Sequence, residues 1–293
     1  MGAVYQNALF TLAAESSEDG LYIESSKLNS AIASIECPGP GDGKSCIYVR
    51  KSIEIWYRQN SNAKQVAIFS NRPKLQTRGW TLQEHILSPR IIRFTTLEMM
   101  WECFSQQKCE CSLLEEPIQD SPKASFAGII SAPTDLEYSV WKFWRDIVYE
   151  FTTRDLTYVS DRLPALAGLA DVISTFSQDT YLWGLWQKSL WQDLLWYIAT
   201  PLNSKRQDGR YAPSWSWASV TGCIHYISGA DGHDPKVSVR FLEISYESDG
   251  PDAIGHVKLE GPIIPVRLQQ CNWEKTTKRY PILVRLGLKD WAH

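Results

Sequence analysis

Thirteen tryptophans in 293 residues constrain this chain more than any other feature. Each indole needs a large apolar seat and an acceptor for its N–H, so the fold must supply both many times over. Tryptophan serves cores, interfaces and ligand pockets alike, and the count alone leaves those three uses open. A real core is affordable, because 44% of the residues are hydrophobic and 22% are charged, which excludes a disordered chain. The length suits one large domain or two small ones. Thirty basic residues stand against 33 acidic ones, a net charge of −3. No surplus of positive charge remains for phosphate neutralisation, which argues against general nucleic-acid binding.

No stretch reads as a membrane span, since the apolar windows 126–132 and 181–199 are short or interrupted by Gln, Lys and Asp. The first residues lack the basic and apolar regions of a secretory leader. Gln6 stands where a myristoylation signal after Gly2 wants Ser or Thr. The seven cysteines are Cys37, Cys46, Cys103, Cys109, Cys111, Cys223 and Cys271. An odd number, thinly spread, fits reduced thiols better than a disulfide framework. The expectation is a cytoplasmic protein with no membrane span and no nucleic-acid partner.

Residues 1–14 carry apolar side chains at 1, 4, 5, 8, 9 and 12, a helical repeat. Three glycines and two prolines between Glu36 and Gly43 mark a loop. Residues 46–57 alternate and are β-branched, which predicts a strand or hairpin arm; 66–69, 91–94 and 99–103 predict further short strands. Residues 82–87 predict a short helical turn, and 115–133, with three prolines, a loop. Helical spacing then takes over. Residues 136–151 align Trp141, Trp144, Val148 and Phe151, and 161–176 opens with Asp161 as N-cap and Pro164 in the first turn. Residues 179–198 continue the helical reading through Leu182, Trp186, Leu190, Asp193 and Tyr197, whereas 236–247, 254–260 and 282–286 return to β character. The expected fold class is mixed α+β, with helices in the middle third and β-rich first and last thirds, rather than a regular βαβ sheet. One domain over 1–293 is expected, in three parts: 1–115, 134–200 and 211–293.

Two motifs stand out. The first is Arg78-Gly79-Trp80-Thr81-Leu82-Gln83-Glu84-His85-Ile86-Leu87-Ser88-Pro89-Arg90, followed by Phe94 and by Trp101-Glu102-Cys103. Gly79 permits a tight turn, and Trp80, Gln83 and Glu84 share one helical face. Glu84 is placed for a buried, bidentate pair with Arg78 or Arg90. Such a network is either a scaffold tying helix to strand or a pocket wall faced by Gln83 or Glu84. The second motif is Tyr211-Ala212-Pro213-Ser214-Trp215-Ser216-Trp217-Ala218-Ser219. Its alternation suggests an extended segment with Trp215 and Trp217 on one face, filling a core or lining a site for an apolar ligand. His225, beside Tyr226, is the acid–base candidate to watch among five histidines, with hydrogen-bonded scaffold as its other reading.

Together with Asp161-Arg162-Leu163-Pro164-Ala165-Leu166-Ala167-Gly168-Leu169-Ala170 and Tyr181-Leu182-Trp183-Gly184-Leu185-Trp186, these motifs resemble those of the fungal heterokaryon-incompatibility (HET) domain family. They occur in the family's order and cover nearly the whole chain. A complete domain of that family has an earlier half, with a Tyr/Trp-Gly motif and a Trp-Ile-Asp…Cys-Ile strand belonging to a TIR-like core. This sequence carries neither, so the resemblance implies a truncated HET scaffold without the usual TIR-like nucleotide pocket.

Other chemistry is thinly signalled. Cys103, Cys109 and Cys111, with His85 upstream, lack the paired spacing of zinc modules. Residues 39–45 lack the first glycine of a phosphate loop, with Pro38 in its place. No metal and no cofactor is expected. The functional expectation is a cofactor-independent secondary-metabolite cyclase, closing a hydrophobic terpenoid or polyketide by an intramolecular (4+2), or Diels–Alder, reaction through preorganisation. Trp80, Trp215, Trp217, Tyr226 and Tyr211 would wall the pocket, with His225, Gln83, Arg78 and Glu84 as its polar groups. The resemblance implies two alternatives: cell-death signalling through protein contacts, and TIR-like NAD hydrolysis with Glu84 catalytic.

Overall fold

The computed structural model describes residues 1–15, 32–38, 44–50, 73–95, 99–110, 115–117, 121–131, 136–198, 204–207, 211–227, 240–247 and 254–260. Helix α1 (Gly2–Gln6) and strand β1 (Thr11–Ala14) precede a hairpin of β2 (Ile32–Pro38) and β3 (Lys44–Arg50). A single turn, α2 (Lys74–Thr77), leads into α3 (Trp80–Leu87). Strands β4 (Arg90–Phe94), β5 (Met99–Cys103), β6 (Gln106–Cys109) and β7 (Glu115–Pro117) follow. Three helices come next: α4 (Pro122–Ser131), α5 (Leu136–Thr152) and α6 (Pro164–Ser177), with a 3-10 turn at Val159–Asp161 before α6. After them lie β8 (Tyr181–Leu182), β9 (Leu185–Trp186), α7 (Leu190–Asp193) and β10 (Trp196–Ile198). A 3-10 turn at Trp217–Ser219, then β11 (Ile224–Tyr226), β12 (Arg240–Glu247) and β13 (Ile254–Glu260) complete the described chain.

The class is mixed α+β. One five-stranded sheet has the order β1-β4-β5-β6-β7, with β1 parallel to β4 and the remaining pairs antiparallel. The other described strands form two-stranded ribbons, β2–β3, β8–β9, β10–β11 and β12–β13. The core is built around α5, whose Val140, Trp141, Phe143, Trp144, Ile147, Val148 and Phe151 are all buried. Their spacing at three and four residues gives the helix one broad apolar face. Against that core pack Leu166, Leu169, Ala170 and Ile173 of α6, together with Leu82, Ile86 and Leu87 of α3. Glycines allow α1 to reach the same place: a Cβ on Gly2 would lie 2.8 Å from the Cα of Gly168.

Several sequence expectations give way to local physics. The helical repeat over residues 1–14 yields only α1, because Thr11–Ala14 gains a backbone partner as the parallel edge strand beside β4. The predicted loop over 115–133 contains β7 and α4. Ser121 caps α4, its hydroxyl accepting the Ala124 amide at 3.0 Å, and Pro122 occupies the first turn, where a missing N–H costs nothing. The predicted helix over 179–198 is mainly a hairpin and short segments, because Trp183 (φ 51°) and Gly184 (φ 95°) turn the chain back at the centre of that run. The Ser214–Ser219 motif is not a strand: it turns, and Trp217–Ser219 is a 3-10 turn with the Ser216 hydroxyl accepting the Ala218 amide. The strands predicted at 66–69 and 282–286 lie outside the described residues.

The sheet carries charge inward. On β4 and β5, alternation turns Arg93 and Glu102 to the buried side along with Ile91 and Met100. Arg93 donates to both oxygens of Glu15 at 2.8 and 3.1 Å, and to Glu102 at 3.4 Å. His85 of α3 meets Glu102 at 2.8 Å, and Gln76 of α2 donates to Glu15 at 2.8 Å. Lys123 of α4 is fully buried, with its Nζ 5.6 Å from the centre of the Phe104 ring; burial pulls it down to about 8, in part offset by Glu102. Burial alone would raise the Glu102 carboxyl, but His85, Arg93 and Lys123 together hold it at about 2.

An ordinary glutamate titrates near 4.3 when unfolded, so the unfolded chain binds the extra proton first as pH falls. The stabilisation from Glu102 is therefore complete above about pH 4.5 and lost as pH drops toward 2. Urea unfolding of wild type at pH 5 and pH 3 is expected to show this loss. The Glu102→Gln variant should be weaker at pH 7 by roughly 3 kcal/mol, because Arg93 and Lys123 stay buried without it, and flatter between the two acid values.

Candidate functional site

The four sequence motifs converge on one place through tryptophan side chains. Helix α3 starts at Gly79, whose amide donates to the Asp155 carbonyl at 2.8 Å. A Cβ at Gly79 would sit 2.6 Å from the Leu156 side chain and 3.2 Å from Phe151, so any other residue would have to displace Leu156. The next residue, Trp80, is half-buried and donates its indole N–H to the Asp161 carboxylate at 3.0 Å. Asp161, expected to cap α6, is instead the acceptor for that indole, and no side chain caps the helix.

Arg162 follows and lies with its guanidinium 5.4 Å from the centre of the Trp217 ring. Trp217 is fully buried, edge-on to Phe151 at 6.0 Å. Its indole N–H donates to the Gly184 carbonyl at 2.8 Å, and the Trp144 indole donates to the same oxygen at 2.8 Å. Ser216 donates to the Trp183 carbonyl beside it. Two pairs, Trp80–Asp161 and Arg162–Trp217, thus meet at consecutive residues of the chain.

Arg162 is the unusual member. It is 8% exposed, and its Nε and Nη2 are buried with no hydrogen-bond partner among the described residues. Burial pulls its guanidinium down to about 10. A buried cation without a hydrogen-bond partner is costly, which makes Arg162 a point of stored electrostatic cost in this core.

The sequence-predicted residues are distributed over three places. Gln83 is buried, with its Oε1 accepting the Leu169 amide at 3.2 Å, which ties α3 to α6. Glu84 is half-buried and hydrogen-bonded to Tyr5; burial raises its carboxyl, partly offset by Tyr5 and the exposed Arg78. The expected buried, bidentate Glu84–arginine pair does not form, because Arg78 and Arg90 both point to solvent and Tyr5 takes the carboxylate. Trp80 and Trp217 meet as described. Trp215 is half-buried and its carbonyl accepts the Trp196 indole at 2.9 Å, while Tyr211 is 44% exposed.

His225 and Tyr226 belong to a different neighbourhood. His225 sits between Tyr149 at 4.7 Å and Tyr197 at 5.6 Å, 3.6 Å from the Cys223 sulfur, and burial lowers its pKa. Neither residue shares a hydrogen bond or ring contact with Trp80 or Trp217 among the described residues. The Tyr226 hydroxyl is buried beside Asp193, Arg145 and Tyr181, and burial raises its pKa. Asp193 accepts from Ser189 at 2.8 Å, the Trp186 amide at 3.1 Å and Arg145 at 3.2 Å. Burial pushes its carboxyl up to about 6 against those donors. The Tyr181 and Tyr226 hydroxyls and the Trp186 indole N–H have no partner among the described residues.

No cluster of three or more His, Cys, Asp or Glu suited to a metal occurs among the described residues. None of the described helices is long and apolar enough to cross a membrane. Compared with protein-family profiles, curated proteins and solved structures, the chain finds no match.

Sequence reasoning passed over Arg162, although it quoted the motif that holds it. A charged residue between an acid and a run of apolar helix, Arg162-Leu163-Pro164-Ala165-Leu166, was the available signal. It also passed over Gly184 as an acceptor, for which a sequence offers no signal. Gly184→Ala tests the junction: the new Cβ would lie 2.6 Å from Trp217 Nε1 at a positive φ. Its expected cost is about 3 kcal/mol or more, read as a lowered thermal midpoint.

Proposed function

We infer that this protein is a cofactor-independent cyclase on a HET-like scaffold, acting on a hydrophobic terpenoid or polyketide by intramolecular (4+2) closure. The observation that carries the reading is the Arg162 guanidinium, buried over the Trp217 ring with Nε and Nη2 lacking a partner among the described residues, while the preceding Asp161 holds the half-buried Trp80. A (4+2) closure converts three π bonds into two new σ bonds and one π bond, with no leaving group, proton transfer or redox step. It asks for two things: reacting ends held in contact, and charge stabilisation where electron density moves. An aromatic surface serves the first. A guanidinium donating to a carbonyl conjugated with the dienophile serves the second, because it draws electron density from the reacting double bond.

Under this reading Arg162 replaces His225, Gln83, Arg78 and Glu84 as the leading polar group. Half-buried His225 packs against the rings of Tyr149 and Tyr197, away from Trp217, and Gln83 is committed to the Leu169 amide. Trp80 and Arg162 supply the contact surface, and Trp217 supports the guanidinium from beneath.

The test is a rate measurement with purified protein and terpenoid or polyketide trienes bearing a conjugated carbonyl, product formation being followed against the spontaneous reaction. Acceleration is expected, with Arg162→Met reducing it by roughly 10 to 100-fold while circular dichroism stays native. No acceleration with any substrate removes the reading. Growth arrest on expression in a fungal host would favour signalling instead, and consumption of NAD would favour hydrolase chemistry.

A further inference from the structure

Strands β10 and β11 form an antiparallel ribbon in which Tyr197 stands opposite His225. Alternation puts Cys223, His225 and Ile227 on one face of the β11 segment, and Ile224 and Tyr226 on the other. The second face is the inward one: Ile224 is fully buried and the Tyr226 hydroxyl is enclosed. The first face stays within reach of solvent. Cys223 and His225 are half-buried, and Ile227 is 52% exposed. The Ile227 amide donates to the Leu195 carbonyl at 3.3 Å, which extends the ladder and brings the 40%-exposed Leu195 beside it.

On that face the Cys223 sulfur lies 3.6 Å from Nε2 of His225, a distance at which a thiol hydrogen-bonds to an imidazole nitrogen. Cys223 is a thiol and not half of a disulfide. The imidazole is steadied by two rings, edge-on to Tyr149 of α5 at 4.7 Å and against Tyr197 at 5.6 Å. Burial lowers its pKa, so the ring is unprotonated at neutral pH and, with its proton on Nδ1, accepts the thiol proton at Nε2. A thiol beside an unprotonated imidazole is the arrangement of an activated sulfur nucleophile.

We propose that Cys223 is a nucleophilic site for α,β-unsaturated carbonyl compounds carrying an aliphatic chain, with His225 as its base. The sulfur forms a bond to the β-carbon as its proton passes to Nε2 of His225. The π electrons of the carbon–carbon double bond move to the α-carbon, which takes that proton back from the imidazolium. The product is a thioether with the carbonyl intact, and His225 is neutral again. Conjugate addition suits this pair because the one proton the step needs is the one the thiol gives up. Leu195 and Ile227, exposed on the same face, give the aliphatic chain an apolar surface to cover. The site lies apart from Trp80 and Trp217 and does not rest on the cyclase reading, which uses no nucleophile.

The experiment measures the rate of adduct formation at Cys223 by intact-mass and peptide mass spectrometry, with trans-2-nonenal and acrolein as probes. Native wild type should gain the full mass of one nonenal at Cys223, faster than the same residue reacts in urea. His225→Gln should slow that addition by at least about tenfold. Between pH 8 and pH 7 the wild-type rate should change little, because His225 stays unprotonated. His225→Gln should lose about eightfold over the same interval, following the thiolate fraction of an ordinary cysteine. The rate ratio of nonenal to acrolein should be higher in the native protein than in urea, and Ile227→Ser should lower it.

Slower reaction of Cys223 in the native protein than in urea would overturn the proposal, and so would matching pH profiles for wild type and His225→Gln. An adduct found only on lysine, with water lost, would overturn it as well. Equal nonenal-to-acrolein ratios in the native and unfolded states would remove the aliphatic chain from the ligand class. The native-against-urea comparison on wild type decides the matter even if a variant folds poorly.

Discussion

A single backbone oxygen, the carbonyl of Gly184, accepts the indole N–H groups of both Trp144 and Trp217 at 2.8 Å. Much of the molecule depends on that junction. A buried indole N–H without an acceptor is costly, and two large rings can share one acceptor only if the backbone comes very close to both. Glycine at a positive φ allows it. Trp144 brings the central helix α5 to the junction, Trp217 brings the second motif, and Gly184 brings the β8–β9 hairpin. From Trp217 the contacts continue to Phe151 and Arg162, and from Asp161 beside it to Trp80 and α3.

The same logic of close approach recurs at two other glycines. Gly79 lets α3 begin against Leu156 and Phe151, and Gly2 with Gly168 lets α1 lie on α6. Gln83 then completes that contact by accepting the Leu169 amide. Large aromatic rings at the centre and missing side chains at the crossings are therefore two halves of one packing solution. Ring volume is accommodated because the backbone elsewhere comes closer than any Cβ allows.

Charge is handled in two contrasting ways. Under the sheet, Glu15, Arg93, Glu102 and His85 satisfy one another in a buried chain of contacts. Beside Trp217, Arg162 is held by an aromatic face and by burial, with Nε and Nη2 lacking an acceptor among the described residues. Both arginines are almost fully enclosed, at 4% and 8% exposure, so the difference lies in partners rather than in depth. That contrast inside one protein, rather than the aromatic content, is what directs attention to the second arginine.

The sequence by itself determined the mixed α+β class, the inward face of α5, and the strands at 91–94 and 99–103. Each of these rests on local spacing, which a linear chain records. Its misreadings were of segments whose state depends on a distant partner: Thr11–Ala14 became a strand because β4 lies beside it, and 179–198 folded back because Gly184 must meet two indoles. Of the residues that the sequence grouped as one candidate site, packing sets Trp80 and Trp217 beside Asp161 and Arg162, and places His225 and Tyr226 apart, among Tyr149, Tyr197 and Asp193. Only the tertiary structure decided that Asp161 serves Trp80 and that Arg162 has no acid of its own among the described residues. The physical reason is that partnership is a matter of distance in space: Arg93 finds its carboxylate 78 residues away, and no spacing along the chain distinguishes it from Arg162.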